Sequence, residues 1–71
     1  MKDLRLICGY RKMTGLSQKE MSLKLGISEV TYRNKENGKR FFNEVEIKTF
    51  YQIVKQFKDD VTIEDIFFDN K

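Results

Sequence analysis

The sequence predicts an all-α domain of five short helices. Three patterns lead to that expectation. Apolar residues recur at steps of three and four rather than alternating at two. Ser17, Ser28, Asn43 and Thr62 each stand just ahead of such a run, where a side-chain oxygen can cap a helix N-terminus. Gly15, Gly26 and Gly38 lie 11 and 12 residues apart, a spacing that suits short helices closed by left-handed caps.

The elements follow in order. The first helix is expected from about Asp3 to Met13, with Leu4, Ile7, Cys8 and Tyr10 on one apolar stripe. Gly9 inside it costs about 1 kcal/mol relative to Ala and would admit a close neighbour. The second opens on Ser17-Gln18-Lys19-Glu20, a capping box in which the Ser17 hydroxyl accepts from the Glu20 amide and the Glu20 carboxylate returns the bond. Met21 and Leu25 continue its apolar face, and Gly26 stops it. The third runs from Ser28 to Asn37-Gly38, with Val30 or Thr31 and then Tyr32 facing inward. The fourth opens at Asn43 with Glu46 at the N3 position. Ile47, Phe50, Val54 and Phe57 form the longest regular stripe in the chain. After the polar break Lys58-Asp59-Asp60, Thr62 caps a short last helix with Ile63, Ile66 and Phe67 inward. No repeat or linker divides the chain, so residues 1–71 read as one domain.

Composition excludes several chemistries. There is no His, which removes an imidazole base and a histidine metal cage. A single Cys forms no internal disulfide and no CxxC site, and Cys8 reads as a small buried hydrophobe. No paired-carboxylate motif or phosphate-cradling glycine loop is present, so neither an enzyme nor a cofactor or metal is expected. No run approaches the roughly 20 apolar residues of a membrane span, and no signal-peptide pattern opens the chain. The expected location is the cytoplasm of a bacterial or phage-infected cell. The net charge of +3 conceals an asymmetry. Residues 1–40 hold ten Lys and Arg against four Asp and Glu, whereas residues 41–71 hold four against seven. A basic front half favours a nucleic-acid surface there.

The stretch Gly15 to Arg40 carries the functional expectation. Two capped helices meet at Leu25-Gly26-Ile27-Ser28, where Gly26 allows a tight reversal and Ile27 pins the turn to the core. With Gly-Leu-Ser-Gln at 15–18, Leu-Gly-Ile-Ser at 25–28 and Glu-Asn-Gly-Lys-Arg at 36–40 in register, the chain resembles the Cro and lambda-repressor-like (XRE-type) helix–turn–helix DNA-binding family from about Leu4 to Phe67. The helix–turn–helix itself spans about residues 17–36.

The resemblance implies roles. The third helix would be the recognition helix, with Glu29, Val30, Arg33 and Asn34 at the base-reading positions. Their chemistry suits this: Asn pairs with adenine, Glu accepts from cytosine and Val contacts a thymine methyl. Glu29 could instead simply complement the helix dipole. Ser17, Gln18, Asn37, Lys39 and Arg40 would contact phosphate, with backbone amides of the 37–40 loop adding to them. Gln18 would also brace a base-reading side chain. Lys35 stands where the family commonly has an apolar or aromatic residue; either its stem snorkels or its ammonium meets phosphate. Arg11 and Glu36 would form a partly buried structural ion pair. The departures include Phe41-Phe42 where the family often has Pro.

The implied activity is transcriptional regulation, as a Cro-like repressor bound as a homodimer to a roughly palindromic double-stranded DNA operator. Phe67 and Phe68 are candidates for the dimer interface. Leu23, Phe41, Phe42 and Phe68 are candidates for exposed apolar area, and Phe41 or Phe42 could instead fold back on the core. The alternative is an antitoxin or antirepressor acting mainly through a protein partner, in which Leu23 and Phe68 would matter more than Asn34.

Overall fold

Local sequence dictates where each helix begins. In the computed structural model, which describes residues 5–68 and only the backbone of Arg5, the helices are α1 (Arg5–Thr14), α2 (Gln18–Leu25), α3 (Glu29–Glu36), α4 (Glu44–Lys55) and α5 (Ile63–Phe67). No strand occurs among the described residues. Asp3 and Leu4, expected at the start of the first helix, lie outside them. The four capping residues do what their chemistry suggests. Ser17, Ser28, Asn43 and Thr62 each accept from the amide three residues on, and at α2, α4 and α5 the N3 carboxylate returns the bond.

Helix ends are set with equal economy. Gly26 adopts φ 75°, and the next amide, from Ile27, reaches back to the Ser22 carbonyl at 3.0 Å. A side chain at residue 26 would strain this left-handed backbone, so the reversal between α2 and α3 depends on glycine. Gly38 closes α3 in the same way at φ 86°, with the Lys39 amide bonded to the Asn34 carbonyl at 2.8 Å.

The helices bury one core. Ile7, Met21, Tyr32, Phe50, Val54, Val61, Ile66 and Phe67 form it, drawing on every helix and on the α4–α5 connection. Packing pairs α2 with α3 and α4, and joins α1, α4 and α5 to one another. The result is an all-α globule of 29 × 27 × 20 Å. Phe42 fills the seam between the two groups. Its ring lies 6.0 Å from Tyr32, 6.3 Å from Phe50 and 5.4 Å from Phe67, in edge and tilted arrangements that suit aromatic pairs.

Several sequence expectations change here. Phe57 does not extend the α4 stripe and is 57 % exposed. The helix ends at Lys55, and the Phe57 amide bonds to Val54 three residues back, so the ring leaves the helical phase that aims Phe50 and Val54 inward. Gly9 lies exposed, and a Cβ there would meet nothing within 4 Å, so it serves no close packing. Phe67 is 4 % exposed and meets Phe50 edge-on at 5.4 Å, so it belongs to the core, although it also lines the floor of a cleft beside Phe41 and Phe68. Only Phe68, at 53 %, faces out from that end of α5. Val30 turns outward and Tyr32 takes the inward place on α3. Cys8 and Tyr10 are half-buried.

Candidate nucleic-acid interface

The surface is best built outward from Glu36, a buried carboxylate at the C-terminal end of α3. Its Oε2 accepts from Arg11 Nε at 2.8 Å and from the Tyr32 hydroxyl at 2.7 Å. Its Oε1 accepts from Gln18 Nε2 at 2.8 Å. Arg11 is itself buried, and its Nη1 donates to the Leu16 carbonyl at 2.8 Å. One ion pair thus joins α1, the loop before α2 and α3, while Gln18 adds α2. No buried side-chain nitrogen or oxygen among the described residues lacks a partner.

Two opposed effects act on the Glu36 carboxyl. Burial pushes its pKa up, but hydrogen bonds from Arg11, Tyr32 and Gln18 together outweigh that and hold it below the ordinary carboxylate value of 4.5. Burial, then the bond to Glu36, pushes the Tyr32 phenol up, so it stays a donor at any ordinary pH. A carboxyl lowered in the folded state contributes stability that is present above its unfolded pKa and lost as pH falls through its folded value. The melting temperature is therefore expected to drop on acidification below about pH 4.5. Glu36→Gln should start lower at pH 7 and show a shallower acid decline. An unchanged acid slope in Glu36→Gln would show that Glu36 does not carry this dependence.

The helix–turn–helix that Glu36 braces presents its far side to solvent. Val30 is 61 % exposed, an aliphatic side chain held out from the first turn of α3. Arg33 is exposed one turn on, and Glu29 and Asn34 are half-buried beside it. Arg33 Nη2 donates to Glu29 Oε2 at 3.3 Å, an i,i+4 pair on the same ridge. Arg33 Nε donates to Gln18 Oε1 at 3.5 Å, the long end of a hydrogen bond. Ser17 lies exposed at the start of α2; its oxygen caps the helix at 3.0 Å, leaving its proton to donate outward. Asn37, Lys39 and Arg40 are exposed just past α3.

Two of the expected phosphate groups are engaged elsewhere. The Lys35 ammonium bonds Glu46 Oε1 at 2.6 Å, largely buried, and so ties α3 to α4. Its side chain is only 12 % exposed, and Glu46 neutralises the charge that is buried with it. The Asn43 amide donates to the same oxygen at 2.9 Å, so one carboxylate both caps α4 and receives Lys35. The amides of Asn37, Gly38 and Lys39 bond carbonyls of α3 and close its end. Of the loop amides only that of Arg40 has no acceptor among the described residues, so phosphate contact in this loop falls to it and to side chains.

Sequence reasoning missed the Lys35–Glu46 pair, because 11 residues separate the partners and no local pattern links them. It also missed the Tyr32–Glu36 bond, although their i,i+4 spacing on one helix was a usable signal. No cluster of three or more His, Cys, Asp or Glu that could hold a metal occurs among the described residues. No described helix is long and apolar enough to cross a membrane.

Comparison with known proteins agrees with this architecture. Neither a curated protein nor a solved structure matches the chain significantly. The family described as the helix–turn–helix domain matches residues 5–65, which takes in α1 to α4 and most of α5. With two capped helices joined by a glycine turn and this match along most of its length, the chain belongs to the helix–turn–helix domain family of the Cro/XRE type, whose members bind DNA.

Proposed function

We propose that this protein is a sequence-specific transcriptional regulator, a Cro-like repressor that binds a palindromic operator as a homodimer. The observation that carries the reading is the outward ridge of α3, formed by Glu29, Val30, Arg33 and Asn34, with Lys39 and Arg40 exposed beside its end. An α-helix with its side chains is about 10–12 Å across, matched to the roughly 12 Å width of the major groove. The ridge enters that groove with Val30, Arg33 and Asn34 toward base edges. Ser17, Gln18, Asn37, Lys39 and Arg40 contact phosphate and set register. The protein acts in the cytoplasm, where operator DNA is accessible.

Molecular size and surface support the dimer. Each copy is 27–29 Å across its longer axes, so two fit side by side on half-sites about 34 Å apart, one DNA turn. Phe41, 90 % exposed, and Phe68 border a cleft of about 130 Å³ with Arg40 at its rim, and this is where a second copy packs. A second reading, a protein partner in place of DNA, is favoured by Leu23, which is 70 % exposed on α2.

Salt dependence separates the two. Lys39 and Arg40 from each of two copies supply four cationic phosphate contacts, so log K should fall with log salt at a slope of about −4. Selection from a random duplex library should return two inverted half-sites one turn apart. A flat salt response, or no enriched sequence, rejects the operator reading in favour of the protein partner.

A further inference from the structure

Arg33 is the only arginine on α3, and the fold grips it from one side. Its Nε donates to Gln18 and its Nη2 to Glu29. Those two groups make up one edge of the guanidinium. The other fork, Nη1 with the second hydrogen of Nη2, has no partner among the described residues and points away from both holders. Gln18 can offer Arg33 only its carbonyl. Its Nε2 donates to Glu36, and a carboxylate accepts without donating, so a flipped amide would set two acceptors against each other. The orientation of Gln18 therefore comes from Glu36, which Arg11 and Tyr32 hold in turn. A bonded line runs from the buried ion pair to the surface of α3.

We infer that Arg33 reads a guanine, its open fork taking O6 and N7 in the major groove, and that Glu29 is a positioning residue that holds the fork outward beside the brace already expected of Gln18. The inference rests on the DNA-binding reading above and divides the labour within α3. Charge argues for it. Glu29 unpaired would meet the repulsion of nearby phosphates, whereas Arg33 one turn away cancels its charge. Geometry argues for it as well. Glu29 Oε2 is turned along the ridge toward Arg33, which leaves only Oε1 to accept from a cytosine amine. An exposed i,i+4 pair alone holds little, but Arg33 has a second holder, on a different helix and fixed from the core. A long side chain oriented before docking loses less freedom on binding. Two parallel donors match the paired acceptors of guanine, which a lysine ammonium does not.

The test is selection from a random duplex library with the full chain as wild type, Arg33→Lys, Glu29→Ala and Glu29→Gln. The wild-type site should contain one guanine per half-site. Preference for it should fall about ten- to a hundredfold in Arg33→Lys while other positions persist. Glu29→Ala should relax the same guanine, and Glu29→Gln, which keeps an acceptor, should retain it. Melting curves should stay within a few degrees of wild type, because these side chains lie at the surface. Equal weakening of all sequences in Arg33→Lys would make Arg33 a phosphate contact and overturn the inference. Altered preference at a different position in Glu29→Ala would make Glu29 a base reader and overturn it equally. A wild-type consensus indifferent to Arg33→Lys overturns this inference alone. No wild-type consensus at all overturns it together with the proposed function.

Discussion

Arg11→Ala is expected to lower the free energy of unfolding by about 3–5 kcal/mol, because it leaves the Glu36 carboxylate buried without its cation. In a domain near this size each kcal/mol lost lowers the melting temperature by about 4–8 °C. A drop of more than about 10 °C should follow, read by thermal unfolding at pH 7. The whole stability of such a domain is only about 5–15 kcal/mol, so partial unfolding at 37 °C is expected too. The cost belongs to the orphaned charge more than to the lost pair. Replacing the polar cluster together by Arg11→Met, Glu36→Leu and Tyr32→Phe should recover much of the loss, since a buried pair repays its desolvation only with good geometry. That triple variant also removes the acceptor of Gln18. A folded triple variant with weaker discrimination among DNA sequences would tie the core cluster to recognition. Unchanged melting of Arg11→Ala would remove the buried-pair account.

Phe67→Ala and Phe68→Ala should behave as opposites although the residues are neighbours. Phe67 lies against Phe42 and Phe50 in the core, and truncating it should cost about 3–5 kcal/mol through lost transfer energy and the cavity left behind. Phe68 is more than half exposed, so its truncation should change stability by no more than about 0.5 kcal/mol. Its effect should instead appear in sedimentation, as a weaker dimer, if the cleft it shares with Phe41 receives a second copy. Similar losses of stability in both variants would contradict the assignment of Phe67 to the core and Phe68 to the surface.

The contrast at 67 and 68 shows where sequence reading stops. Both are Phe near the end of one amphipathic run, and both suit an interface by composition. Periodicity aims Phe67 inward with Ile63 and Ile66, but the depth of its burial depends on Phe42. That ring comes from a connection with no period of its own. Phe57 is the reverse case: its spacing extended the α4 stripe, but the helix ended two residues earlier. Spacing shows which residues share a face only while the helix continues.

Recognition-surface residues divide in the same way. Glu29, Val30, Arg33 and Asn34 were placed on α3 by the helix–turn–helix pattern, because caps and the glycine turn act over three or four residues and can be read along the chain. The same pattern put Lys35 on α3 but did not give its partner. Its ammonium turns to Glu46, a residue from the next helix that sequence distance does not single out.

Sequence alone accounts for the five helices, their caps at Ser17, Ser28, Asn43 and Thr62, the reversal at Gly26 and the family to which the chain belongs. Each depends on interactions local in the chain. That Phe42 rather than Phe41 turns inward, the engagement of Lys35 and the hold on Arg33 emerged only once the helices were packed. They depend on which side chains meet across helices, and whether a buried charge is neutralised or a donor satisfied is settled by partners that lie far apart in the chain.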